Sequence, residues 1–437
     1  MLVLRHAPRL IYLTELPSCS CLTWNFDMPS APPQISAATQ RSALLLSLAT
    51  FSSMATQRIC DAMLPALSNI FQTSVAQAAQ VIWVFAVVYG LAQLFYGPLG
   101  DRTGKFRIIT YATLGCSVAS LVAAFADNLN TLVLARALTG LFAAAVIPLA
   151  LAWVGDAVPY GRRLETLAKV GLGTTLGIVG GQLAGGWFAD TLGWRWAFAL
   201  MTVIFAAVGC LLLLDLRRQQ RLPGTESGDM PHGRPGFIRQ ALAILSDPWA
   251  GRVLIIALIE GAAGFGVLST IASHLHQTLG LSLSLSGSIV ALFGLGGVLY
   301  MTVARWLIRR LGEDGLAQYG TALMGLSFAV LGFTRWWPLT PVVSLSAGFG
   351  FFMFHNTMQA NATQMTPSAR GTSVSLFSCA LFSGQALGVL MAAHLSAVLG
   401  SGGVIALGGS IVLVVGTLMA RSLRARNGRS LSPIDPL

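Results

Sequence analysis

The most informative feature of this 437-residue sequence is how little charge it carries. Only 10% of its residues are Asp, Glu, Lys or Arg, whereas soluble globular proteins contain about 25%. Hydrophobic residues make up 54% of the chain, and the mean hydropathy is +0.70. Because so few charged residues cannot cover a surface in water, the composition excludes an ordinary soluble protein.

The sequence also lacks the motifs of common enzymes and of metal sites. It has no Ser/His/Asp grouping, no HExxH, no phosphate-binding GxxxxGK[ST] and no soluble domain where ATP would act. Its six cysteines are scattered, which indicates neither a disulfide framework nor a zinc site. His274 and His276 are two apart, so a helix places them on different faces. We therefore expect no enzyme activity, no cofactor and no metal.

Apolar residues fall in blocks of about 20, the length that crosses a hydrocarbon core. The backbone must then be helical, because lipid offers it no hydrogen-bond partner. The sequence thus predicts an all-α polytopic membrane protein with twelve transmembrane helices in two six-helix bundles. We number these spans 1 to 12, and they lie near residues 43–66, 78–98, 108–126, 131–153, 165–187, 195–216, 251–273, 286–308, 317–334, 339–360, 373–393 and 402–421.

The segments between the spans suggest how the chain is organised. Residues 217–249 are polar, basic and rich in Pro and Gly at their centre, which predicts a linker between the two halves. The predicted parts are a disordered tail at 1–40, an N-terminal bundle at 41–216, the linker at 217–249, a C-terminal bundle at 250–422 and a basic tail at 423–437.

The formal charge of +11 follows membrane topology and does not indicate nucleic-acid binding. Nearly all Lys and Arg residues outside the spans fall on one side, here called the basic face, and the opposite face holds only Arg195 and Arg335. The positive-inside rule therefore predicts that both termini and the linker are cytoplasmic. We expect a multi-pass monomer in the bacterial inner membrane.

A shift of 208 residues carries Pro98–Gly104 onto Trp306–Gly312 and Arg162 onto Arg370. The segments Pro98–Gly104 and Trp306–Gly312 share a Leu, an Arg and a Gly at matching positions, and both lie at the same topological position. Internal repeats of this kind are how transporters build a site at the interface of two halves, so the repeat predicts pseudo-symmetric bundles.

The loop after span 2 reads Gly97-Pro-Leu-Gly-Asp-Arg-Thr-Gly-Lys-Phe-Arg107 and resembles a conserved loop of the major facilitator superfamily. The resemblance implies a transporter whose cytoplasmic gate contains this loop, with the Asp101 carboxylate accepting hydrogen bonds from the start of span 11, Gly371–Ser373. The residues on the family pattern that we assign to the gate are Gly97, Asp101, Arg102, Gly104, Lys105 and Arg107.

Three more stretches resemble this superfamily. Leu134–Gly140 is similar to its Arg-bearing motif in span 4, with Thr139 in place of the usual Gln. Asp61–Leu67 resembles the first helix of bicyclomycin-resistance-type drug exporters. The span 5 stretch resembles the drug:proton antiporter motif, with Gln182 where proline is expected; the same glycines are equally consistent with packing alone. The residues concerned in span 5 are Gly177, Gly181, Gln182, Gly185 and Gly186.

Four ionisable residues lie deep in the predicted spans, where each costs at least about 2.5–3.5 kcal/mol. They are Arg58, Asp61, Arg136 and Glu260, and their charges sum to zero. One interpretation is a proton site at Asp61 or Glu260, with Arg136 central to coupling. The other is a static pair of Arg58 with Asp61. Span 7 itself offers no cation near Glu260. We therefore expect Glu260 to find a partner across the interface or to stay protonated.

Polar side chains elsewhere in the spans are candidates for a substrate cavity: Gln57, Gln93, His355, Asn356 and Gln359. The favoured function is a secondary transporter that exports small amphipathic molecules, drugs or metabolites, in exchange for protons by alternating access. One alternative is an organic-anion exchanger or importer in which Arg58 and Arg136 clamp the anion. Another is a membrane sensor that transports nothing.

The start of the chain gives the first testable prediction. Met28 opens a short polar lead into span 1, so we hypothesise that translation begins there. The intact mass of the purified protein should then correspond to a chain starting at Met28. A product that carries Met1–Asp27 would refute the hypothesis.

Overall fold

The computed structural model describes residues 36–220, 237–366 and 369–430, and all structural statements below concern these residues. They form helices that match the twelve predicted spans, in two pseudo-symmetric bundles of six. Spans 1 to 6 are Ala37–Arg58 with Leu64–Ile70, Val75–Thr103, Lys105–Ala124, Leu129–Ala157, Tyr160–Asp190 and Trp194–Gln220. Span 7 is Pro248–Leu279, spans 8 and 9 share Leu283–Phe333, span 10 is Thr340–Thr363, and spans 11 and 12 share Arg370–Ser430.

Several boundaries differ from the prediction. Span 1 begins at Ala37, inside the tail predicted at 1–40, and span 12 runs to Ser430, past the predicted end at 422. The predicted linker is helical at both ends, through Gln220 and over Phe237–Leu245, and most of its middle lies outside the described residues. Residues 1–35, including Met28, also lie outside them.

Glycines with positive φ mark where the long helices turn back, a conformation that L residues with a side chain avoid. Gly104 (φ 94°) separates spans 2 and 3, and Gly312 (φ 66°) separates spans 8 and 9. These two glycines are the pair that the 208-residue repeat aligned. Gly193 (φ 94°) and Gly400 (φ 70°) follow spans 5 and 11 in the same way. The repeat is therefore visible in the backbone as well as in the sequence.

Three spans are interrupted. Span 1 leaves the α-helix between Ile59 and Met63, and span 4 is broken between Leu129–Ala143 and Val146–Ala157. Span 7 contains a π-helix at Gly261–Gly266. In span 1, Pro65 has no N–H and its ring clashes with the carbonyl four residues earlier, which ends the helix. Breaks at this depth are tolerated where surrounding protein satisfies the backbone.

Spans 1 and 5 pack backbone to backbone along a glycine stripe. Gly173, Gly177, Gly181 and Gly185 recur every four residues, and a Cβ atom at each would overlap the carbonyl oxygens of Ser47, Phe51, Ala55 and Ile59, respectively. Gly186 meets Leu283 of span 8 in the same way. Glycine allows this approach because it has no side chain. The stripe places span 5, and with it Gln182, against the break in span 1.

Length and hydropathy alone identify only some of the twelve spans. By length and hydropathy, eight of the described helices are suited to crossing a membrane, and two of these each contain two spans. Spans 1 and 5 are not among them. Both carry more polar and charged residues, so the close packing of these two spans compensates for their weaker affinity for lipid.

The stripe predicts that a methyl group at Gly185 destabilises the protein. Gly185→Ala should lower the free energy of unfolding by about 1–3 kcal/mol, because the neighbouring backbone cannot move aside. The matched control is Gly171→Ala, since a Cβ there meets nothing within 4 Å, and it should be neutral or stabilising by up to about 1 kcal/mol. Thermal unfolding midpoints in detergent test this. Equal shifts for both variants would contradict it.

Candidate functional site

The break in span 1 brings together the first buried charge cluster. Arg58 and Asp61 are both fully buried, and Arg58 Nη1 lies 3.4 Å from Asp61 Oδ2. The amide of Gln182 on span 5 donates to the same oxygen at 2.8 Å. The predicted pairing of Arg58 with Asp61 is thus present, and Gln182, which replaces the expected proline, supplies a hydrogen-bond donor to the carboxylate.

Arg58 also reaches the other half of the protein. Its Nη1 lies 3.3 Å from the Ser269 hydroxyl, and its guanidinium lies 4.3 Å from the centroid of the Phe265 ring, both on span 7. A cation over an aromatic face gains additional stabilisation when it is away from water. The guanidinium therefore links spans 1 and 7 while it balances Asp61.

Arg136 is equally buried but binds backbone. Its Nε donates to the Val81 carbonyl at 3.0 Å and its Nη1 to the Thr56 carbonyl at 2.8 Å, and the group lies 4.2 Å from the Phe85 ring centroid. Within the described chain no carboxylate lies within ion-pair distance of it. Arg136 therefore holds spans 1, 2 and 4 together.

Glu260 forms the second buried charge cluster, in the C-terminal half. It ends the α-helical part of span 7, just before the π-helix, and its Oε1 lies 2.9 Å from Nδ1 of His355 on span 10. His355 stacks on Phe351, with ring centroids 5.2 Å apart. Glu260 was expected to find a partner across the interface or to stay protonated. The partner observed among the described residues lies instead on span 10 of the same half, a neighbour that sequence spacing cannot reveal, and the protonation of Glu260 stays a prediction.

The other predicted cavity residues differ in what they contact. Gln57 Nε2 donates to Oε1 of Gln385 on span 11 at 3.0 Å, which joins the two halves through a buried amide pair. Gln93 is buried, and Asn356 and Gln359 are partly buried. Gln385 was not among the residues predicted from sequence, because a lone glutamine in an apolar span gives no signal of its partner.

The predicted gate lies at the basic ends of spans 2 to 4. Lys105 Nζ lies 2.8 Å from Asp101 and 2.6 Å from Asp156 at the end of span 4. The expected partner of Asp101, the start of span 11, is not the one observed among the described residues. Gly97 still faces span 11, since a Cβ there would lie 3.7 Å from the Ser375 hydroxyl. Arg102, Gly104 and Arg107 are exposed.

Two carboxylates outside the predicted set also join elements. At the opposite face, Asp190 at the end of span 5 accepts hydrogen bonds from the N–H groups of Leu283 (3.1 Å) and Ser284 (2.5 Å), which begin span 8. This is a favourable position for a negative charge. Near the basic face, buried Asp215 on span 6 pairs with Arg41 and accepts from Ser42 at 2.6 Å.

Comparisons with known proteins agree with this architecture. The family model of the Major Facilitator Superfamily matches residues 46–389. The uncharacterized MFS-type transporter YwfA of Bacillus subtilis is 26% identical over 58% of this chain and 61% of its own length. The puromycin resistance protein pur8 of Streptomyces alboniger is 29% identical over 62% of this chain and 55% of its own. The chain thus matches less than two thirds of the length of either relative.

The fold also matches a solved structure, a bacterial homologue of the human lysosomal transporter Spinster in an inward-facing, unoccupied conformation. The match has a TM-score of 0.67 at 17% identity and covers 89% of this chain and 96% of that one. At this identity the likeness concerns the fold.

The Arg58–Asp61 contact predicts a strong non-additive effect on stability. Asp61→Asn leaves the buried Arg58 charge without its anion and should lower the free energy of unfolding by about 3–5 kcal/mol. The double variant Arg58→Gln with Asp61→Asn removes both charges and should recover most of that loss. Thermal unfolding of Arg58→Gln, of Asp61→Asn and of the double variant measures the coupling between the two residues. If the two single effects simply add, the residues do not stabilise the protein as a pair.

Proposed function

The chain belongs to the Major Facilitator Superfamily, a family of transporters and not of enzymes, and on this premise we propose that it exports small amphipathic molecules in exchange for protons. The observation that carries the proposal is the pair of buried carboxylates, Asp61 in one half and Glu260 in the other, each at most 2% exposed. Ionisable groups at membrane depth are candidates for proton transfer by default. A carrier with such a group in either half can link proton movement to the motion of one half against the other.

The kind of substrate is argued from the polarity of the spans. The candidate cavity residues are a few amides and one imidazole, which are Gln57, Gln93, His355, Asn356 and Gln359, and the neighbouring side chains are mostly apolar. Such a surface suits molecules with a large apolar part and few hydrogen-bonding groups. The similarity to a puromycin resistance protein supports the same class.

The contacts give no support to the organic-anion alternative. An anion clamp needs guanidinium donors, and among the described residues Arg58 Nε and Nη2 and Arg136 Nη2 have no hydrogen-bond partner. However, Asp61 already balances the Arg58 charge and would repel an anion bound there, and Arg136 uses its other two nitrogens to bind the carbonyls of Thr56 and Val81.

We place the basic face in the cytoplasm of a bacterial cell, with both termini on that side and the protein acting as a monomer in the inner membrane. The positive-inside rule supports this orientation. The residues of the gate then lie at the cytoplasmic ends of spans 2 to 4, where Lys105 joins Asp101 and Asp156. Alternating access would require the two bundles to separate at one face while they close at the other.

The proposal predicts transport driven by a proton gradient. Proteoliposomes containing the purified full chain should accumulate compounds from a panel that includes puromycin and ethidium when a pH gradient is imposed. One-for-one exchange supports a concentration ratio of about tenfold per pH unit. Collapse of the gradient with a protonophore should abolish accumulation, and protein-free liposomes are the control. Binding without any gradient-dependent flux would instead favour a sensor.

A further inference from the structure

The contact between Glu260 and His355 has a property that the contact between Asp61 and Arg58 lacks: both partners can change charge. We propose that the Glu260–His355 pair, and not Asp61, takes up and releases the transported proton. This inference rests on the proposed function, because it names the group in the spans that does the coupling.

Asp61 faces a permanent cation and a hydrogen-bond donor. Arg58 stays protonated in proteins, and it lies 3.4 Å from the Asp61 carboxylate in a region closed to solvent. Gln182 donates a further hydrogen bond to the same oxygen. Protonation of Asp61 would leave the Arg58 cation buried without an anion, which is strongly unfavourable. The pair is therefore suited to a fixed structural link between spans 1 and 7.

In the described part of the chain, no Arg or Lys lies within ion-pair distance of Glu260. Its ion-pair partner among the described residues is His355, and an imidazole is charged only when it is protonated. Elements in contact with span 7 carry further charged or titratable groups. They are Arg58 and Asp61 on span 1, Tyr300, Arg305, Arg309, Arg310, Glu313, Asp314 and Tyr319 on spans 8 and 9, Arg370, Cys379, His394, Arg421, Arg424 and Arg426 on spans 11 and 12, and Arg239 on the linker helix. Of these, Arg58 is already balanced by Asp61.

The exposure of the two side chains suggests how the proton reaches Glu260. The Glu260 side chain is 1% exposed, whereas that of His355 is 15% exposed. A proton that arrives on Nε2 of His355 allows Nδ1 to pass its own proton to Oε1 of Glu260, 2.9 Å away. The imidazole ends neutral, the carboxylate becomes a carboxylic acid, and the pair gains one proton. The reverse sequence releases it.

The same contact couples protonation to conformation. It joins spans 7 and 10, and it lies directly before the π-helix Gly261–Gly266. π-Helical turns inside α-helices occur frequently at functional sites. In this segment Gly264 faces the Phe351 ring, and Phe351 stacks on His355. A change in the charge of the pair therefore acts on the part of span 7 whose backbone is least regular.

Infrared spectroscopy of the purified full chain tests the proposal without any substrate. The native protein should show the carbonyl stretch of a protonated carboxyl group that disappears as the pH rises. Glu260→Gln should lack this band. The double variant Arg58→Gln with Asp61→Asn should keep it, as should Glu165→Gln, which changes an exposed glutamate at the basic end of span 5.

Transport in proteoliposomes provides the second arm, with puromycin as the probe. Glu260→Gln should still exchange puromycin at equilibrium, but its accumulation ratio under a pH gradient of one unit should fall from about tenfold to about one. Glu260→Asp should restore part of the accumulation. His355→Gln removes the proton relay, so it should reach the native ratio at a rate reduced at least about tenfold.

The two arms separate the possible failures. If the native chain does not accumulate puromycin, the transport arm counts against the proposed function, and the infrared arm alone decides the inference. A titrating band that survives in Glu260→Gln and is lost in the Arg58/Asp61 double variant would overturn the proposal. Native accumulation by Glu260→Gln would overturn it as well.

Discussion

The constraint on which the rest of this structure depends is the charge of Arg58, which lies where no water can solvate it. The charge is met by Asp61 across the break in span 1 and by the Phe265 ring and Ser269 hydroxyl of span 7. Asp61 in turn requires Gln182, and Gln182 is in reach because the glycine stripe of span 5 lies against span 1. One buried cation thus determines the contacts of three spans.

The two halves treat their buried carboxylates differently, although they share a fold. In the N-terminal half both deep arginines are present, and one neutralises Asp61 while the other binds backbone carbonyls. In the C-terminal half Glu260 has a neutralisable partner in His355. The gate loop and its repeat also differ in charge. Lys105 lies between two aspartates, whereas the residue related to it by the 208-residue shift is Glu313, which accepts a hydrogen bond from Asn361 at 3.2 Å. Pseudo-symmetry therefore extends to the backbone and not to the charges.

The sequence predicted the spans, the repeat and the depth of the four charged residues, because hydropathy and spacing along one helix carry that information. It could not predict partners on separate helices, such as His355 for Glu260 or Gln385 for Gln57, since nothing in local spacing relates them. It also treated Gln182 as a departure from a motif, and the structure shows that its amide contacts Asp61. Pro65 could have indicated the break in span 1, but residues 43–66 were interpreted as one continuous apolar span.

The dependence of span 1 on span 5 affects how the protein is made. During synthesis, span 1 leaves the ribosome before spans 2, 3 and 4, and its glycine-rich partner, span 5, follows them. Composition does not place either span among the helices suited to cross a membrane alone. The contacts that cover the backbone of span 1 and bring Gln182 to Asp61 therefore form only after span 5 has emerged. Integration of this half into the bilayer is then a joint event of several helices and not a sequence of independent insertions.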